Sequence, residues 1–237
     1  MNNSFRAHSL WRNTAAVVFS TLLCWATAGS ALAAPVWSNG SPNGKNASLL
    51  SEFNQAEDFI LNFTSNLTGV RFWSMEASTN DYLGSILYSI VSDVSGSPGS
   101  TVYASGTAAP TRTAAGTALG LNIFQNDFAI SVSGLLAGTY WIELHNGPLS
   151  NSGFSDYYWA WTDFGAGDNG GTTPGREFDL TTPGSVWADN GAEHAFVVFG
   201  DRVVATVPES TSLALTAMAL ALLVMRRRLP GASRTAC

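Results

Sequence analysis

Between residues 34 and 206 the chain is written in short runs of period two. Phe59, Leu61 and Phe63 alternate with Ile60 and Asn62, and Val70, Phe72 and Ser74 alternate with Arg71, Trp73 and Met75. Ile86, Tyr88 and Ile90 repeat the spacing, as do Phe128, Ile130 and Val132. Residues 138–144, 157–161 and 195–199 are short apolar runs rich in aromatic and β-branched side chains. Successive strand side chains point to opposite faces, so this alternation predicts half-buried strands. Clusters of Gly, Pro, Asn and Ser separate the runs, most densely over residues 92–99, and such clusters form turns. No amphipathic helical stretch of useful length interrupts them. The pattern predicts an all-β body, an antiparallel β-sandwich of jelly-roll-like type, with a closed barrel as the alternative that the same spacing allows.

The two ends break the pattern. Arg6 and Arg12 precede an apolar stretch over residues 15–28, followed by Ala31, Leu32 and Ala33. A basic start, an apolar middle and small residues at a cleavage site are the parts of a secretory signal peptide. The mature protein is therefore expected to begin near Ala34. Lipidation at Cys24 is disfavoured, because the preceding Leu23 is large. At the other end, Val207, Pro208, Glu209 and Ser210 lead into residues 213–225, made only of Leu, Ala, Thr, Met and Val, and then Arg226, Arg227 and Arg228. Residues 211–225 would make a helix of roughly 22 Å at 1.5 Å per residue. That is short against a hydrocarbon core of about 30 Å. Snorkelling arginines and local thinning accommodate such a helix. It has no polar face, which sets it apart from a surface helix of the body. The arginine run favours a cytoplasmic C-terminus, with everything before Val207 outside.

Motif, short apolar helix and basic cluster in this order resemble the PEP-CTERM sorting signal of exported bacterial proteins. Ser210 stands where that family has its second proline. The resemblance implies a Gram-negative bacterium that makes exopolysaccharide and an exosortase-type enzyme that processes the chain near residues 207–210. It also implies transient anchoring in the inner membrane before sorting to the cell envelope or the extracellular space. Pro208 keeps the residue before it extended, leaving the neck open to a processing enzyme. Residues 88–99 and 137–141 are similar to β-sandwich ectodomains that often precede such anchors. This likeness bears on fold and topology more than on activity. The expected organisation is a signal peptide (1–33), an ectodomain (34–206) and a sorting signal (207–237).

Composition narrows the chemistry. Both cysteines, Cys24 and Cys237, fall in the terminal segments, so the body has no disulfide. The formal net charge is −6, and the cations of the body are only Lys45, Arg71, Arg112, Arg176 and Arg202. Nucleic acid needs a basic footprint, so it is excluded as a partner. There is no His-Glu-x-x-His, no paired-cysteine spacing and no Gly-x-Ser-x-Gly. His145 and His194 are read as structural polar groups, and Asn62 and Asn66, which match glycosylation sequons, as strand and turn residues. A secreted hydrolase with dispersed carboxylates is the least favoured reading.

Two clusters merit placement. Asp163, Asp168 and Asn169 lie in a glycine-rich loop that could present oxygens to calcium, although a plain acidic turn is preferred. Tyr157, Trp159 and Trp161 share one face of a strand. Exposed, they would stack on sugars and make the body a carbohydrate-binding module that retains exopolysaccharide. Buried, they would fill the core, with Trp141 and Trp187 as partners, and this reading is preferred. The expectation is a non-catalytic exported protein that requires no cofactor.

Overall fold

The computed structural model describes residues 33–168, 173–204 and 218. Thirteen strands are found among them, arranged in two antiparallel sheets. The longest, β4 (Ser65–Glu76), is the spine of the first sheet. Along one edge it pairs with β8 (Leu121–Leu135), which also carries β7 (Thr111–Ala118). Its other edge is shared end to end by β13 (Phe196–Arg202) and β10 (Tyr157–Ala160). Outside these lie β1 (Pro35–Ser38) on β13 and β2 (Ala47–Leu49) on β10. The second sheet runs β12 (Ala188–Asp189), β11 (Arg176–Asp179), β3 (Phe53–Leu61), β9 (Gly138–Asn146), β5 (Ile86–Asp93), β6 (Pro98–Ala108). β12 and β6 end this sheet without a further partner among the described residues. Neither sheet closes into a barrel, and the arrangement is compatible with a β-sandwich.

The period-two pattern becomes a shared core. Phe59 and Leu61 from β3, Tyr140, Ile142 and Leu144 from β9, and Ile86 and Ile90 from β5 meet Leu67, Val70 and Phe72 from β4. Phe128, Ile130 and Val132 from β8, with Phe196 and Val198 from β13, complete the first sheet's side. Phe63 departs from the expected alternation. β3 ends at Leu61, and Phe63 lies in the turn beyond, 39% exposed. Each sheet also carries a small apolar cluster on its outer face: Ala56, Val91 and Trp141 on the second, Met75, Ile123 and Ala160 on the first.

Both ends of the body come out at one end of the sheets. The Gly200 N–H donates to the Ala34 carbonyl (3.1 Å), and the Val203 N–H to the Thr64 carbonyl (2.8 Å). Ser65 is in register with both Arg202 and Leu135, so the β3–β4 and β8–β9 turns lie here too. Among the described residues no helix is long and apolar enough to cross a membrane. Residues 1–32, and the sorting motif and arginine cluster within residues 205–237, lie outside the described residues, Met218 apart.

Candidate functional site

β10 sits between β4 and β2, so its inward side chains are core. Tyr157 and Trp159 are both 0% exposed. The Trp159 indole packs edge-on against Phe72 (6.2 Å) and Phe196 (5.9 Å) and lies over the His194 ring (4.6 Å, 30°). Its Nε1–H donates to the Ala195 carbonyl (3.0 Å). Trp161, half-buried at the end of the strand, donates to Ser48 Oγ (2.7 Å). The sugar-stacking face considered for Tyr157, Trp159 and Trp161 is therefore not presented: two of its three rings are sealed between the sheets. Trp141 and Trp187 are not their partners either. They pack together outside the second sheet.

Beside Trp159 the core holds a polar network that begins at Glu57. Alternation along β3 sends Gln55, Glu57, Phe59 and Leu61 inward, so a carboxyl enters the interior. Glu57 Oε2 accepts the His194 backbone N–H (2.8 Å) and lies 2.6 Å from His194 Nδ1. Asn39 Nδ2 donates to Glu193 Oε2 and to the His194 carbonyl, each at 3.0 Å. Burial, followed by the charge of Glu193, holds the Glu57 carboxyl well above the ordinary range. Burial also depresses His194 to about 3. Burial thus disfavours the charged form of each partner, and the two are held together by short hydrogen bonds. A Cβ on Gly175 would come within 2.8 Å of both partners. Glycine is what lets the chain close over them, and both side chains beneath it are 0% exposed. His145 is tied as well, with Nδ1 2.9 Å from the Gly147 carbonyl and Nε2 3.1 Å from that of Ser51.

The glycine-rich loop uses its acids one at a time. Lys45 Nζ (2.8 Å) and Asn43 Nδ2 (3.1 Å) bind Asp163, holding its carboxyl below the usual range. Asp168 clips the loop to β1: its Oδ2 accepts the Ser38 N–H (2.9 Å), and its own N–H donates to the Ser38 carbonyl (2.6 Å). A Cβ on Gly167 would lie 2.2 Å from that carbonyl, at φ +60°. Asn169 lies outside the described residues. Among the described residues no three His, Cys, Asp or Glu side chains gather as metal ligands.

The outer face of the second sheet holds acids the sequence did not bring together. Trp141 lies beneath Trp187, which meets Phe178 edge-on (5.7 Å). The Trp141 Nε1–H donates to Asp93 Oδ1 (2.8 Å). Burial, then the neighbouring Asp93 charge, pushes Asp58 up to about 6. Burial likewise raises Glu143, which accepts weakly from Asn54 (3.4 Å). Arg176 reaches the Gly96 carbonyl (3.0 Å) and, more loosely, Asp189 (3.8 Å). Strand parity carries these residues together at positions 54, 56 and 58 of β3 and 141 and 143 of β9. Trp141 is 0% exposed, and the rings left on this face are the half-buried Trp187 and Phe178.

An open cleft of about 260 Å³ lies between β6, β8 and β9. Tyr103 and Tyr140 form one wall, edge to face at 5.3 Å, and Ser131, Ser133 and Leu136 line another. The Tyr140 hydroxyl donates to the Leu136 carbonyl (2.9 Å), fixing the adjoining turn. No protein-family model matches the chain, and no curated protein matches its sequence.

Proposed function

We propose that the chain is an exported, non-catalytic β-sandwich of jelly-roll-like topology, carried across an inner membrane and sorted to the cell envelope or extracellular matrix by its C-terminal tail. The observation that carries this reading is the tail itself. Val207, Pro208, Glu209 and Ser210, the apolar residues 213–225 and Arg226, Arg227 and Arg228 follow one another in the order of a PEP-CTERM signal. Two residues, Ala205 and Thr206, separate this motif from Val204, the last described residue of the body. Its partners are an exosortase-type enzyme and, transiently, the membrane. Both histidines of the body are engaged in the interior, which favours scaffold over catalyst. The polysaccharide-binding alternative depended on an open β10 face, and Tyr157 and Trp159 are core.

Mass spectrometry of the mature protein in cell fractions tests the reading. Wild-type chains should end near residues 207–210. Glu209→Ala should insert in the membrane yet stay untrimmed, and deletion of residues 226–228 should impair retention while the body stays folded. A Glu209→Ala chain trimmed and released at the wild-type rate would overturn the sorting reading.

A further inference from the structure

We infer that the end of the body from which the chain leaves is a landing face that rests on the bilayer surface. This inference depends on the tail being a membrane anchor. Six residues, 205–210, separate Val204 from the expected helix that starts at Thr211. Fully extended they span roughly 20 Å, so an inserted anchor holds this end of the body close to the lipid headgroups. The surface presented there is apolar: Val204 is 72% exposed, Leu136 66%, Val203 41% and Phe63 39%. Leu136 is at the β8–β9 turn and Phe63 at the β3–β4 turn, both beside the end of β13.

Charge points to the same occupant. Residues 62–64, 134–138 and 203–204 contain no Asp or Glu, in a chain whose net charge is −6, and Asp93, on the β5–β6 turn at the same end, has its carboxylate tied to the Trp141 Nε1–H and the Gly96 N–H. Asp201 is the carboxylate nearest in sequence to the exit. Next to it the Arg202 guanidinium lies 4.4 Å from the centre of the Phe63 ring, giving this rim a cation and an aromatic together. Anionic headgroups repel carboxylates and attract such cations. Aromatic and arginine side chains also settle at the membrane–water boundary. The opposite end exposes Phe154 (63%) and Leu149 (40%) as well. There, however, Asp156 is two residues from Phe154, and Asp81 is brought to its neighbour Ser155, whose Oγ–H donates to the Asp81 carbonyl (3.2 Å). The two ends are therefore unlike in charge, and the carboxylate-poor one is where the chain departs.

Lipid-borne quenching on the full chain tests this. With Cys24 and Cys237 replaced by Ser, single cysteines at Leu136→Cys, Phe154→Cys and Met218→Cys would carry an environment-sensitive fluorophore. The labelled chains would be reconstituted in phosphatidylethanolamine–phosphatidylglycerol vesicles bearing a spin-labelled lipid. All three positions are well exposed, and surface substitutions of this kind leave folding nearly unchanged. The expected result is strong quenching at 218, quenching at 136 several-fold above that at 154, and little at 154. Quenching at 218 with 136 no different from 154 would overturn the landing face and leave the anchor standing. No quenching at 218 would overturn the anchor and the inference with it. A label at 136 that escapes the lipid quencher but responds to protein concentration would identify a second copy as the occupant, and would also overturn the inference.

Discussion

At the scale of single residues, Trp159 ties the core together through three ring contacts and one donated hydrogen bond. Trp159→Ala should cost about 3–5 kcal/mol, read as a lower urea midpoint. Trp161→Ala, which loses one hydrogen bond and part of a half-buried surface, should cost on the order of 1 kcal/mol. Equal costs for the two would refute the placement of β10 in the sheet. Asp58 carries a pH dependence. Its carboxyl rises from 3.8 to about 6 on folding, so the folded state binds that proton more tightly. Its contribution to stability is full below about pH 4 and is lost as pH rises through about 6. Asp58→Asn should therefore stabilise the protein at pH 7 by on the order of 2 kcal/mol, with no gain at pH 4. His194 acts in the opposite sense. Because burial lowers its folded value from 6.5 to about 3, its contribution falls away as pH drops through that window. Thermal melts from pH 3 to 8 on wild type and Asp58→Asn would separate the two limbs.

At the scale of elements, the β7–β8 hairpin turns on Leu119 (φ 54°) and Gly120 (φ 79°). Two positive φ angles in a row make a type I′ turn, which favours Asn-Gly over Leu-Gly. Leu119→Asn should raise stability by about 0.5–1 kcal/mol, seen as a melting temperature higher by about 2 °C. Seven residues before Leu119, Arg112 binds Glu76, which is 0% exposed, and lies 4.4 Å from the ring centres of both Tyr82 and Phe124. Arg112→Met should cost about 3–5 kcal/mol, because it strands a buried carboxylate, and Arg112→Met with Glu76→Gln should recover much of that loss in a double-mutant cycle. β7 itself was not legible. Thr111–Ala118 is almost wholly exposed, so burial imposed no alternation on its sequence. β11 and β12, four and two residues long at a sheet edge, are too short to show a period. Parity along β3, β4, β5 and β8 was legible because one face of each meets the shared core. What parity could not say was which face is which when both are covered. Trp141 accordingly reads as core yet lies under Trp187 on the outside. Glu57, at an inward position of β3, became visible only when the fold placed His194 opposite it.

At the scale of the whole molecule, the chain crosses between sheets at most connections of the described strands: β2 to β3, β3 to β4, β4 to β5, β6 to β7, β8 to β9, β9 to β10, β10 to β11 and β12 to β13. Contacts of this kind are distant in sequence, and folds built from them form in milliseconds to seconds rather than microseconds. No local pattern announces them, which is why the sequence revealed strands but not their partners. The most distant pairing is that of the first strand with the last, Pro35 opposite Phe199. A chain truncated before Phe196 should therefore remain protease-sensitive throughout, rather than fold into a slightly smaller body. Every polypeptide leaves the ribosome N-terminus first, so β1 emerges with nothing to pair with and waits for almost the entire body to follow. If the chain is exported as proposed above, a strand order of this kind would delay the compact shape that jams a narrow translocation channel. The polypeptide would then stay threadable until its last strand is made.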